Sequence, residues 1–73
     1  MRYAISLTIS GIDPATGKCF CRERKVGDAS TLQEAHKVFN RYLEEHSHQP
    51  SEKYGIFLSI RQGIRVIHRM QIN

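Results

Sequence analysis

The stretch YGIFLSIRQGIRVIHRMQI, residues 54–72, decides the fold, because it reads in two ways. Arg61, Arg65 and Arg69 fall at i, i+4 and i+8, the spacing of one helical face. Against that, Gln62-Gly63 interrupts two runs rich in Ile, Val and Phe, which suit a half-buried pleated surface, and a glycine inside a helix costs roughly 1 kcal/mol. The strand reading gives a closing hairpin, Tyr54 to Arg61 and Ile64 to Ile72. It sends Ile56, Leu58, Ile60, Ile64, Val66, Met70 and Ile72 inward, with His68 at the same parity. Phe57, Ser59, Arg61, Arg65, Ile67, Arg69 and Gln71 point outward.

Upstream, Ser47 to Lys53 is a polar linker containing Pro50. Before it, Leu32, Ala35, Val38, Phe39, Tyr42, Leu43 and His46 recur at three- and four-residue intervals, the stripe of an amphipathic helix. Gln33, Glu34, Lys37, Arg41, Glu44 and Glu45 lie outside the stripe, and Thr31 with Glu34 has the spacing of a capping box. At the N-terminus Tyr3, Ile5, Leu7 and Ile9 alternate with Ala4, Ser6, Thr8 and Ser10, a strand with one buried face. Asp13-Pro14-Ala15-Thr16-Gly17-Lys18 then turns the chain, with proline presetting φ and Gly17 free to take a positive φ.

The returning strand, Lys18 to Val26, offers two faces. Burying Phe20, Arg22, Arg24 and Val26 would desolvate two arginines, so the expectation is that Cys19 and Cys21 point inward. These pieces predict an α+β fold: a single β-β-α-β-β domain over residues 1–73, with one helix packed on a mainly antiparallel four-stranded sheet. A core this small yields only a few kcal/mol of net stability, which leaves homodimerisation open.

The opening MRYAISLTIS has neither the apolar run of a signal peptide nor the length of a membrane span, so a cytoplasmic protein without a membrane partner is expected. Cys19 and Cys21, with Cα atoms roughly 6.5–7 Å apart along a strand, read as reduced. The net charge of +4 is unevenly spread. Residues 18–25 and residues 61–73 each carry +3, whereas the helix carries −1. With the helix on one side, the open sheet face would present Arg22, Arg24, Arg61, Arg65 and Arg69 beside Phe20, Phe57 and Ile67. Guanidinium groups contact phosphates and aromatic rings stack on bases, so this set points to nucleic acid. An interface with an acidic protein, or a solvated face whose arginine stems shelter apolar atoms, are the competing readings.

Over residues 1–45, the strand, the Asp13 to Lys18 turn, the basic strand and Thr31-Leu32-Gln33-Glu34-Ala35 opening a helix resemble the arm-type, AP2-like DNA-binding domains of tyrosine recombinases. That resemblance implies that the sheet face opposite the helix enters a DNA major groove and that Arg22 and Arg24 contact DNA. The 73 residues depart from the family pattern in offering no clear third strand before the helix, in adding a C-terminal hairpin and in containing no recombinase domain among themselves.

Cys19-x-Cys21 and His46-x-His48 supply ligand types that zinc accepts, but neither spacing is that of a common zinc site, and no metal or cofactor is expected. No nucleophile elbow, phosphate-binding glycine loop or paired carboxylate is present, so no enzymatic activity is expected. The expectation is a small basic accessory protein, of the kind a phage or other mobile element encodes. It would bind DNA, ahead of RNA, through Phe20, Arg22, Arg24, Phe57, Arg61, Arg65 and Arg69. The alternative is a protein-binding module or homodimer using the same face or the C-terminal edge strand.

Overall fold

A computed structural model describes residues 2–73 of the chain. Strands β1 (Tyr3–Ile12) and β2 (Cys19–Ala29) precede the helix α1 (Leu32–Glu45), and β3 (Tyr54–Gln62) and β4 (Arg65–Gln71) follow it. The closing segment is therefore a hairpin, and Arg61, Arg65 and Arg69 lie on strands. The fold is α+β, with a four-stranded sheet in the order β2-β1-β3-β4 and every neighbouring pair antiparallel. The two hairpins meet side by side: β1 and β3 form the centre, and β2 and β4 are the edges.

Both turns use the chemistry read from the sequence. Asp13 Oδ1 accepts from the Ala15 amide at 2.9 Å, the Gly17 amide donates to the Asp13 carbonyl at 2.7 Å, and Gly17 takes φ 70°. Gly63 takes φ 62° in the second turn. An L-residue with a side chain adopts such values at a cost, whereas glycine does so freely. At the helix start Thr31 Oγ1 accepts from the Glu34 amide, and the Glu34 carboxylate reaches back to the Ser30 amide. The first bond satisfies a backbone donor that the first turn leaves open, and the second ties the residue before the N-cap to that turn.

The core lies between α1 and the sheet. Ile5 and Leu7 from β1, Ile56, Leu58 and Ile60 from β3, and Ala35 and Phe39 from α1 are its buried centre. Register follows directly, since Ile5, Leu7 and Ile9 stand opposite Ile60, Leu58 and Ile56. Gly27 lies where α1 meets β2, and a Cβ there would come within 2.8 Å of Val38 Cγ1. The absent side chain lets the helix close on the sheet.

Two β-bulges reset the alternation. On β2 the partners of Ile5 and Ser6 are Gly27 and Lys25, so Val26 is the extra residue. On β4 the partners of Ile60 and Arg61 are His68 and Val66, so Ile67 is the extra residue. A bulge shifts the side-chain phase by one, which moves every residue beyond it to the other face. Val66, expected inward, thus stands opposite Arg61 on the open face, and Arg65 stands opposite Gln62 on the helix-bearing face. Ile64, also expected inward, is in the turn and 99% exposed. His68 keeps its inward parity, its ring 5.0 Å from that of Phe39 and 5.7 Å from that of His36.

Candidate nucleic-acid interface

The register of β2 corrects the expected orientation of its side chains. Arg22 pairs with Ile9 and Arg24 with Leu7, both on the helix-bearing face, whereas Cys21 pairs with Ser10 and Glu23 with Thr8 on the open face. Cys19 and Cys21 are exposed thiols, not core residues. Desolvation would oppose this facing only if the helix covered its whole side of the sheet. Fourteen residues of helix span roughly 21 Å, whereas the ten residues of β1 span roughly 33 Å. Arg22 and Arg24 occupy the part of β2 that α1 leaves open, so they face the helix side while remaining exposed.

The seven residues expected to form one surface therefore divide. Phe57, Arg61 and Arg69 are on the open face; Phe20, Arg22, Arg24 and Arg65 are on the helix-bearing face. The open face is largely neutralised internally. Arg61 Nε lies 3.2 Å from Glu23 Oε1, an ion pair that spans β1, and Lys25 Nζ lies 3.0 Å from Asp28 Oδ2. The Arg69 guanidinium sits 4.2 Å from the centroid of the Phe57 ring. Between these long side chains the small Ser6, Thr8 and Ser59 are buried even though no helix covers them.

The helix-bearing side is different. A groove of about 520 Å³ runs between β2 and α1, with Arg24, Lys25 and Val26 on one wall and Val38, Arg41, Tyr42, Glu45 and His46 on the other. It adjoins a hollow in which Arg22 and Arg24 flank the apolar surface of Leu7 and Ile9. Arg22, Arg24 and Arg41 take part in no ion pair among the described residues. Of the acids lining these hollows, Glu23 is occupied by Arg61, which leaves Glu45. On the helix wall the Tyr42 and His46 rings stack, with centroids 4.2 Å apart and an interplanar angle of 22°. Half-buried Phe20 follows on β2, opposite Gly11.

The sequence by itself does not mark Arg41, Tyr42 and His46 as site residues. The signal that could have found them is the disparity between helix and strand lengths, because a short helix on a long hairpin leaves a flank exposed on both elements. Cys19 and Cys21 are on the open face and His46 stacks on Tyr42 in the groove, so the zinc constellation is not assembled. Among the described residues no three His, Cys, Asp or Glu side chains lie close enough to hold a metal ion. No described helix is long and apolar enough to cross a membrane. No protein-family model, curated protein or solved structure significantly matches the chain.

Proposed function

We propose that the chain binds nucleic acid, DNA ahead of RNA, through the basic groove between β2 and α1. The observation that carries this reading is the contrast in charge pairing. Lys25 and Arg61 have carboxylate partners, whereas Arg22, Arg24 and Arg41 stand unpaired along one exposed concave flank. Arg22 and Arg24, two apart on a strand, project to the same side roughly 6.5–7 Å apart, a spacing that suits successive phosphates of one nucleic-acid strand. The Tyr42–His46 stack and Phe20 add ring faces on which an unpaired base can rest. The resemblance of residues 1–45 to arm-type domains argues for the same ligand, although Arg22 and Arg24 would reach it from the helix-bearing side.

The test is titration of duplex DNA, single-stranded DNA and RNA at several salt concentrations. Affinity falls steeply with salt on this reading, and the triple variant Arg22→Glu, Arg24→Glu, Arg41→Glu loses binding. Undiminished low-salt binding by that variant overturns it.

A second reading rests on β4. This edge strand is exposed along its whole length, including Val66, Ile67 and Met70, and could add a strand from another chain. Sedimentation equilibrium separates the two: a concentration-dependent dimer abolished by Met70→Lys supports the β4 interface, and a monomer at all concentrations removes it.

A further inference from the structure

We propose that Cys19 and Cys21 form a two-thiolate site for a soft d¹⁰ metal ion, with copper(I) as the type case. Both residues lie at the start of edge strand β2, opposite Ile12 and Ser10, while Phe20 between them turns to the other face against Gly11. The two thiols are thus on one side of one strand, two residues apart, and both are exposed and reduced.

The spacing selects the ligand. Same-face neighbours on a strand have Cα atoms roughly 6.5–7 Å apart, at the far limit for a disulfide, which also needs Cβ atoms within about 4.5 Å. A sulfur–metal–sulfur bridge is longer. With bonds of about 2.3 Å, the length found in zinc thiolates, a linear unit holds its sulfurs about 4.6 Å apart, within reach of two side chains leaning toward each other. The strand backbone can therefore accommodate a metal bridge where it resists a disulfide.

The surroundings select the metal. Zinc in a structural site needs four ligands, and no third His, Cys, Asp or Glu joins the pair among the described residues. Copper(I) is soft, prefers thiolates and is satisfied by two of them. Binding forms two copper–sulfur bonds and releases one proton from each thiol to solvent, with no change of oxidation state. The product carries one negative charge at the site, next in sequence to Lys18 and Arg22. It lies on the open face, away from the groove, so it does not depend on the nucleic-acid reading.

The test uses the full chain, reduced and anaerobic, titrated with copper(I) presented by a chromophoric chelator, with native mass spectrometry for stoichiometry. One copper per monomer is expected. Cys19→Ser and Cys21→Ser should each weaken retention at least tenfold, and excess zinc(II) should not displace the ion. Circular dichroism verifies that the variants, altered at exposed positions, remain folded. Retention by either single variant equal to that of the unaltered chain overturns the site, as does copper held only between two chains or displaced by zinc.

Discussion

Replacing Arg22 and Arg24 together by alanine separates the two faces of the sheet as candidate binding surfaces. Both residues are exposed, so the change should alter stability by no more than about 0.5 kcal/mol and leave the fold intact. Each phosphate neutralised on duplex DNA contributes about 0.9 to the slope of log K against log salt. With Arg22, Arg24 and Arg41 each on a phosphate, the unaltered chain has a slope of about −2.7 and loses about 40-fold in affinity between 50 and 200 mM salt. The double variant keeps one contact, so its slope falls to about −0.9 and its loss to about 3.5-fold over the same range. The matched control is Arg61→Ala with Arg69→Ala, which removes groups already held by Glu23 and Phe57 and should leave the slope near −2.7. Fluorescence anisotropy with a labelled duplex reads all three proteins. If the slope drops with Arg61 and Arg69 and not with Arg22 and Arg24, the groove is not the binding surface and the open face is.

Other expectations concern the scaffold that holds the groove. Phe39→Ala empties a site that is 2% exposed and should cost about 3–5 kcal/mol, enough to unfold so small a domain, as urea denaturation followed by circular dichroism would reveal. Gly27→Val forces a side chain against Val38 Cγ1 and should destabilise by about 1–3 kcal/mol; an unchanged denaturation midpoint would mean that the helix does not close on β2 there. Thr31→Ala removes the oxygen that accepts from the Glu34 amide and should cost about 1 kcal/mol, lowering the melting temperature by about 4–8 °C in calorimetry. Ile64→Lys, at a fully solvated turn position, should leave the melting temperature essentially unchanged.

Local chemistry made much of the fold legible. The alternation of residues 3–9, the Asp13 to Gly17 turn, the Thr31 cap and the stripe from Ala35 to Leu43 each depend on neighbours within a few positions, and each is found where the sequence indicates it. The candidate surface was less legible, because it depends on facing, and facing is inherited from long-range register. Period-two alternation orients Phe57, Arg61 and Arg69 as the sheet does, since β3 alternates without interruption and the phase of β4 is anchored at its far end by Met70 and His68. It misplaces Arg65 and Val66, because Ile67 is an extra residue that no short-range pattern announces. For Arg22 and Arg24 the decisive quantity was how far α1 reaches across the sheet.

The residues alone establish a basic chain with its charge concentrated on two strand segments, and the order of strands and helix that carries them. These are properties of composition, period and turn chemistry, written along the backbone at short range. Assembly of the sheet settled which of those charges are neutralised and which remain available. Strand order brings Glu23 across β1 to Arg61, the bulge at Val26 brings Asp28 to Lys25, and a helix too short for its sheet leaves Arg24 across the groove from Arg41, with Arg22 in the adjoining hollow. Ion pairing depends on distances between residues far apart in the chain, and those distances exist only once the strands have paired and the helix has docked.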